Sequence, residues 1–227
     1  MIRVTENLTL ISNLLATTAN EARRDPDTVR LLAVSKKQSV EKILEAAAAG
    51  QRDFGENFVQ EGIDKIQKTA DFRLVWHFIG HLQSNKTRPV AEYFDWVHTI
   101  DKLKTARRLS QQRPDELPPL NICLQVNIDD EAGKSGVSAA GASELASACS
   151  ELPNIRLRGL MCLPAIRTDF DAQREPFAKL RQLLEELQRG GLALDTLSMG
   201  MSGDFRAAIF EGATIVRIGT AVFGERT

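Results

Sequence analysis

The chain has 227 residues, of which 43% are hydrophobic, with 29 basic and 30 acidic side chains and a formal net charge of −1. This balance, without a basic run interleaved with aromatic residues, lacks the positive surface that nucleic acid binding requires. No apolar run reaches membrane-spanning length. The three cysteines, Cys123, Cys149 and Cys162, are widely separated. Their spacing is not that of a disulfide framework or a zinc site. Composition therefore argues against nucleic acid and membrane partners and indicates a reduced, cytoplasmic protein.

In chain order, an N-terminal helix is predicted within Val4–Glu21, after which strand-like apolar runs alternate with helix-like segments. Eight strands are predicted at residues 31–35, 53–56, 75–79, 96–100, 121–127, 157–163, 197–200 and 215–219. Helical patterns between them include residues 40–49, 102–112, 139–151 and 173–188. This alternation is typical of βα units and a parallel sheet.

Eight βα repeats predict an α/β fold closed into a (β/α)₈ TIM barrel, because closure removes the unpaired edges of an open sheet. The most linker-like stretch, residues 113–119, has only the length of a loop. Residues 1–227 are therefore predicted to form a single domain. Few residues follow the eighth predicted strand, so no eighth barrel helix is expected, and the N-terminal helix is expected to cover its place.

The carboxyl ends of the predicted strands carry candidate site residues, and in TIM barrels the active site lies at this end. Lys36 follows strand one, Asn57 follows strand two, and Arg217 lies on strand eight. A lysine delivered into a pocket is a candidate Schiff-base nucleophile. Because neighbouring side chains alternate along a strand, only one of Lys36 and Lys37 is expected to face the barrel interior.

Glycine and hydroxyl residues lie at the carboxyl ends of the last two predicted strands, at the corner where many barrels bind phosphate. They are Ser202, Gly203, Gly219 and Thr220. Glycine lets backbone N–H groups approach phosphate oxygens closely, and a hydroxyl adds a further donor. These four residues predict a phosphate cup.

Short motifs occur in order from about Arg30 to the C-terminus. They are VSK at 34–36, FGEN at 54–57, WHFIG at 76–80, LQSNK at 82–86, GMSG at 200–203 and VRIGTAVFG at 216–224. In these motifs the chain closely resembles the YggS/PROSC family of pyridoxal phosphate homeostasis proteins. The resemblance implies pyridoxal 5′-phosphate (PLP) held as a Schiff base by Lys36, with Arg217 facing the pyridine nitrogen. The remaining implied cofactor-binding residues are Asn57, Ser202, Gly203, Gly219 and Thr220.

The same resemblance implies a role in intracellular PLP (vitamin B6) homeostasis, with indirect effects on amino-acid metabolism and transient contact with PLP-dependent apoenzymes. Alanine-racemase-like barrels carry a second, β-rich domain that has no counterpart after strand eight, so a monomer is expected. Their opposite-face proton carrier is a tyrosine. The single tyrosine here, Tyr93, precedes strand four and is expected at the far end of the barrel, so little or no racemase activity is predicted.

Two other functions stay open at the level of sequence. One is a PLP-dependent amino-acid racemase or decarboxylase, and the other is a Schiff-base aldolase that uses Lys36 without a cofactor. An alternative role for Arg217 is an ion pair inside the barrel with a residue such as Glu56. Lys134 follows strand five in a Lys-Ser-Gly segment that the family shares, and it is expected to be a loop charge that contacts cofactor transiently.

The three histidines do not predict a metal site, because a spacing of four residues brings ligands together on a helix, whereas His77 lies in a predicted strand and His81 follows it. His77 is expected to be a hydrogen-bonded strand residue, His81 to lie on the rim, and His98 to be structural. Three loop carboxylates after strand five are expected to be solvated: Asp129, Asp130 and Glu131.

Overall fold

The computed structural model describes residues 4–224, and its eight parallel strands pair in sequence order to form a closed barrel. The strands are β1 (Arg30–Val34), β2 (Asp53–Glu56), β3 (Val75–Phe78), β4 (Trp96–Ile100), β5 (Leu120–Val126), β6 (Ile155–Cys162), β7 (Thr196–Ser198) and β8 (Ile215–Ile218). The pairing of β1 with β8 closes the barrel. The predicted (β/α)₈ barrel is confirmed, and every predicted strand overlaps an observed one.

Helices join the strands on the outside of the barrel. They are α1 (Val4–Glu21), α2 (Val40–Ala48), α3 (Val59–Lys68), α4 (Thr87–Tyr93), α5 (Leu103–Gln112), α6 (Ala139–Ser150), α7 (Phe170–Arg189), α8 (Phe205–Phe210) and α9 (Thr220–Phe223). Helices α2 to α8 each connect two successive strands, which is the right arrangement for parallel pairing because such strands need a crossover connection.

Helix α1 covers the part of the barrel where an eighth crossover helix would lie, as predicted. It packs against α2, α8 and α9 through an apolar stripe that includes Leu8, Ile11 and Leu15. The side-chain amide of Asn7 also donates to the carbonyl oxygen of Val222 at 3.0 Å. After β8, α9 forms a single helical turn of four residues, which is much shorter than a barrel helix.

The interior of the barrel differs in chemistry from the layer between strands and helices. That outer layer is an extensive apolar core with buried residues from every strand, such as Phe54, Leu124 and Leu160. Inside the barrel, a small apolar cluster contains Trp96, Cys123 and Met161. Its other occupants include buried polar side chains, namely His77, His98, Ser198 and Arg217.

Neither a membrane-spanning helix nor a metal-binding cluster occurs among residues 4–224. Within 4–224, no helix combines the length and hydropathy needed to cross a membrane. No group of three or more His, Cys, Asp or Glu side chains in the same range lies so as to hold a metal ion. The cysteines are buried free thiols, and burial raises the pKa of Cys162 to about 12, so this thiol is neutral and unreactive at neutral pH.

Candidate functional site

A cavity of about 260 Å³ opens at the carboxyl ends of the strands, near the lower end of the usual size of small-molecule sites. It is lined by Val34, Lys36, Asn57, Ile79, Leu163, Met201, Ser202, Arg217, Gly219 and Thr220. The structure therefore brings together six of the seven predicted site residues. The seventh, Gly203, is adjacent to Ser202 but does not line the cavity.

Lys36 reaches the cavity from a turn that follows β1 rather than from the strand itself. Lys36 and Lys37 are therefore not on a strand, and the strand alternation expected to separate them does not apply. Lys37 has a left-handed backbone with φ 58° and is exposed, whereas Lys36 is half-buried and lines the cavity. The turn separates the two lysines and directs only Lys36 into the site.

Asn57 places an unsatisfied acceptor in the cavity wall. Its Oδ1 atom is buried and has no hydrogen-bond partner among residues 4–224. The backbone here is closely packed, since a Cβ atom added to Gly80 would lie 2.0 Å from the carbonyl oxygen of Asn57. Buried polar atoms are normally hydrogen-bonded, so a ligand with an N–H or O–H donor fits this position.

The predicted phosphate corner has hydroxyl groups and open space. Ser202, Gly203 and Thr220 are exposed, and a Cβ added to Gly203 would meet nothing within 4 Å. Gly200 shapes the preceding turn with φ +92°, and a Cβ there would lie 2.7 Å from that of Ala208. Hydroxyl donors with accessible backbone beside them suit an anionic group.

The Arg217 side chain projects inside the barrel and forms the floor of the cavity. Arg217 is only 5% exposed. Nη1 donates to Oγ of Ser198 at 2.8 Å, and Nη2 donates to the carbonyl oxygen of Cys162 at 2.9 Å. These bonds use two of its five N–H donors. Burial lowers the pKa of Arg217, but a guanidinium still keeps its charge in a protein.

The alternative pairing of Arg217 with Glu56 is wrong. Glu56 points out of the barrel toward α3, where its Oε1 accepts from Nζ of Lys65 at 2.8 Å and from Oγ of Ser35 at 2.7 Å. An ion pair does involve Glu56, as one interpretation of the sequence held, but with a different cation. Among residues 4–224, no carboxylate forms a salt bridge with Arg217.

A row of hydrogen-bonded side chains, called here the hydrogen-bonded file, runs from Arg217 through the inside of the barrel. Oγ of Ser198 lies 2.8 Å from Nδ1 of His98, and Nε2 of His98 lies 2.9 Å from Nδ1 of His77. Nε2 of His77 then lies 2.9 Å from Oδ1 of Asp53. Because Asp53 begins β2, this hydrogen-bonded file connects the cavity floor to the opposite end of the barrel.

The two ends of the hydrogen-bonded file set the direction of its hydrogen bonds, because arginine only donates and a carboxylate only accepts. A carboxylate oxygen accepts from Nε2 of His77, and in a neutral ring Nδ1 of His77 then accepts from His98. Nδ1 of His98 then accepts the hydroxyl proton of Ser198, whose oxygen accepts from Arg217. Burial lowers the pKa of both histidines, which is consistent with two neutral rings in this arrangement. His77 is a hydrogen-bonded strand residue, as predicted, and His98 is also buried and hydrogen-bonded.

The other loop residues singled out from the sequence lie beside this cavity. A neighbouring cavity of about 440 Å³ shares Leu163 and Met201 with it and is also lined by His81 and Lys134. His81 is exposed at the rim as expected, and Lys134 is an exposed charge that pairs with Glu131.

Asp129 differs from its predicted state as a solvated loop charge. Its Oδ1 lies 2.7 Å from Nη2 of Arg167, and its side chain is only 9% exposed. Its Oδ2 also accepts from the backbone N–H of Ala165 at 2.7 Å. The hydrogen bond to Arg167 is the largest cause that lowers the pKa of Asp129. Asp129 therefore ties together the loops that follow β5 and β6.

Tyr93 lies at the far end of the barrel, as predicted. It ends α4 just before β4 and lines a separate cavity with Trp76 and Asp95, near the amino-terminal ends of β3 and β4. Its hydroxyl is 3.4 Å from Nε2 of Gln67 on α3. Tyr93 is thus remote from Lys36 and has no access to a ligand in the candidate site.

Comparison with known proteins shows the family of this chain. The family model for the N-terminal domain of alanine racemase matches residues 11–227. The pyridoxal phosphate homeostasis protein of Pseudomonas aeruginosa is 55% identical over 226 residues, which cover 100% of this chain and 97% of the relative. The chain belongs to the pyridoxal phosphate homeostasis protein family. The resemblance found in the sequence motifs is confirmed.

Solved structures of similar proteins superpose on the barrel. PipY of Synechococcus elongatus, solved without PLP, has a TM-score of 0.87 at 38% identity and covers 97% of this chain and 100% of PipY. The same protein solved with PLP bound has a TM-score of 0.84 at 36% identity, with coverage of 97% and 100%. Alanine racemase from Corynebacterium glutamicum has a TM-score of 0.72 at 16% identity, over 98% of this chain and 61% of the racemase, which shows a shared fold.

Sequence reasoning missed part of the site of this family member. The apolar walls, Val34, Ile79, Leu163 and Met201, come from strand ends and loops, where nothing in the sequence separates a wall residue from a core residue. Ser198 was also missed, although a polar residue within the apolar segment of β7 is a signal that its hydroxyl has a buried partner.

Proposed function

We propose that this protein binds PLP in the 260 Å³ cavity as a Schiff base with Lys36 and acts in intracellular PLP homeostasis, with indirect effects on amino-acid metabolism. One observation carries the proposal: a lysine amine, a buried arginine and two hydroxyls line a single cavity. These groups match the aldehyde, the pyridine nitrogen and the phosphate of PLP, respectively. The unsatisfied Oδ1 of Asn57 supports a ligand that also carries a hydrogen-bond donor.

The site residues have different tasks in binding PLP. The Lys36 amine forms a C=N bond to the aldehyde carbon, and the aldehyde oxygen leaves as water. Arg217 donates a hydrogen bond to the pyridine nitrogen, and because it keeps its own proton that nitrogen stays unprotonated. The phosphate is held by Ser202, Gly203, Gly219 and Thr220. PLP supplies an electrophilic aldehyde and an electron-withdrawing ring.

The proposal extends to the whole chain and to its partners. Residues 1–227 form one PLP-binding domain that acts in the cytoplasm as a monomer and delivers PLP in transient contact with PLP-dependent apoenzymes. Apolar side chains at the mouth of the cavity support such contact, since Leu163 is 39%, Met201 40% and nearby Ile166 96% exposed. Sedimentation of the purified protein, alone and with an apoenzyme, tests the monomer and the contact.

The experiment that tests PLP binding is an absorbance titration of the purified protein with PLP, followed by borohydride reduction. The proposal predicts saturable visible absorbance that borohydride abolishes, with the cofactor left covalently attached. The proposal would be contradicted if the absorbance did not saturate, or if all of the PLP remained free of the protein after reduction. Pyridoxal without phosphate should bind more weakly, because it cannot use the phosphate corner.

A further inference from the structure

A buried cluster of three charged side chains contacts the backbone on both sides of Lys36. The cluster, named here the Lys36 clamp, consists of Glu56 at the end of β2 and of Glu61 and Lys65 on α3. It lies outside the barrel wall and does not line the candidate cavity. Its side chains contact Ser35 and Lys37, the two neighbours of Lys36.

Lys65 is the centre of the Lys36 clamp. Its ammonium group donates to Oε1 of Glu56 at 2.8 Å and to Oε1 of Glu61 at 2.6 Å, and also to the carbonyl oxygen of Ser35 at 2.7 Å. These three bonds use all three of its protons. The Lys65 side chain is 6% exposed and that of Glu56 is 0% exposed, so water competes little for them.

The two carboxylates extend the Lys36 clamp to both neighbours of Lys36. Glu56 accepts from the hydroxyl of Ser35 at 2.7 Å, and Glu61 accepts from the backbone N–H of Lys37 at 2.5 Å. Lys37 has φ 58°, a conformation that costs energy for a residue other than glycine. The bond from Glu61 therefore holds a turn that the chain does not favour by itself.

Stability alone explains this cluster poorly. A buried ionic cluster is often no better for stability than well-packed apolar side chains, but it specifies one geometry. One Glu56 oxygen, Oε2, is buried without a hydrogen-bond partner among residues 4–224. Burial accordingly raises the pKa of Glu56 against the opposing effect of Lys65. The fold retains a costly arrangement whose bonds converge on the two peptide units next to Lys36.

We propose that Glu56, Glu61 and Lys65 are positioning residues that hold the Lys36 amine toward the cavity and thereby set the rate at which it bonds to an aldehyde. The inference rests on the proposed function of Lys36. In that step the neutral amine attacks the aldehyde carbon, a C=N bond forms, and the oxygen leaves as water. Misplacement of a reacting group by about 1 Å can slow a reaction about 10²-fold.

The test compares two ligands in two pairs of variants. PLP can form the C=N bond, whereas pyridoxamine 5′-phosphate has the same ring and phosphate but no aldehyde. Glu61→Ala is the main variant, because this side chain is 27% exposed and its loss leaves Lys65 paired with Glu56. Its control is Asp64→Ala, which removes an exposed carboxylate from the same helix. Lys65→Met, with Lys68→Met as its control, is the second pair.

The expected result in Glu61→Ala is a fall of roughly 10- to 100-fold in the rate of Schiff-base formation, measured by stopped-flow absorbance. The Kd for pyridoxamine 5′-phosphate should stay within about twofold of wild type, since a purely local displacement of Lys36 leaves the non-covalent contacts in place. Lys65→Met should have the same pattern, and both controls should match wild type in both measurements.

Three outcomes would overturn the inference. Unchanged PLP kinetics in folded Glu61→Ala would remove the positioning role. Equal losses for both ligands would show that the Lys36 clamp only supports the cavity wall. If the wild type forms no borohydride-reducible bond at Lys36, the proposed function fails first. That last result is distinguishable, because it appears before any variant is measured.

Discussion

Nδ1 of His98 on β4 lies 2.8 Å from Oγ of Ser198 on β7, which bridges the inside of the barrel. Ser198 is also the residue to which Arg217 donates at 2.8 Å. The guanidinium on the cavity floor is therefore held by a hydrogen-bonded file that ends at Asp53, at the other end of the barrel. Two predictions depend on this file.

Ser198→Ala should weaken PLP binding although Ser198 does not line the cavity. The change removes an acceptor from Arg217 and a donor to His98, and a lost buried hydrogen bond costs about 1–3 kcal/mol of stability. Urea unfolding and a PLP titration measure the two effects. Ser110→Ala is the matched control, because its buried hydroxyl donates to the carbonyl oxygen of Pro153 outside the barrel. A Ser198 variant that loses stability but binds PLP like this control would contradict the role of the file.

The free energy of unfolding should fall as the pH decreases below about 6.5, the pKa of an unperturbed histidine. Burial lowers the pKa of His98 and His77, with repulsion from positive neighbours as a smaller cause for His98. The unfolded chain therefore binds more protons, so this stability is complete above about pH 6.5 and is lost as the pH falls toward the folded-state values. Each histidine contributes at most about 1.4 kcal/mol per pH unit.

Urea unfolding between about pH 7.5 and 5.5 measures this slope. Histidine is the only side chain whose ordinary pKa lies in this pH range. His98→Gln should have a shallower slope than wild type. His81→Gln, at an exposed rim position, should keep the wild-type slope. An unchanged slope in the His98 variant would show that the buried pair does not control the pH dependence.

The sequence predicted the barrel well because the alternation of βα units is strong. It also predicted which strand ends line the candidate cavity, since all parallel strands end at the same face. It did not predict the contact between Lys65 and Glu56, which depends on the rotation of α3 against β2. Nor did it predict the turn at Lys37, because φ 58° is rare for lysine and no glycine or asparagine indicates it.

The double variant Ser202→Ala, Thr220→Val should lose affinity for PLP much more than for pyridoxal. Each lost hydrogen bond to a charged phosphate costs about 1.5–3 kcal/mol, whereas pyridoxal has no phosphate to lose. Paired titrations with the two ligands measure the difference. Equal losses for PLP and pyridoxal would remove these two residues from the phosphate corner.

The wild-type protein should show little or no racemisation of alanine or serine when it is loaded with PLP. In the proposed binding mode, Arg217 would keep the pyridine nitrogen unprotonated, which would make the ring a weak electron acceptor. Tyr93 lies at the opposite end of the barrel, and the absence of a positioned acid or base typically costs about 10²- to 10⁴-fold in rate. Chiral chromatography of the amino acids measures turnover. Racemisation at an ordinary enzymatic rate, about 1–10³ s⁻¹, would favour the racemase alternative.

The most direct measurement of the central claim is borohydride reduction of the PLP-loaded protein, followed by mass spectrometry of its peptides. The account predicts the reduced cofactor on Lys36, loss of that adduct in a folded Lys36→Ala variant, and its retention in Lys37→Ala, whose side chain is exposed. An adduct on Lys37 or Lys134 in the wild type, or an undiminished adduct in Lys36→Ala, would contradict the account.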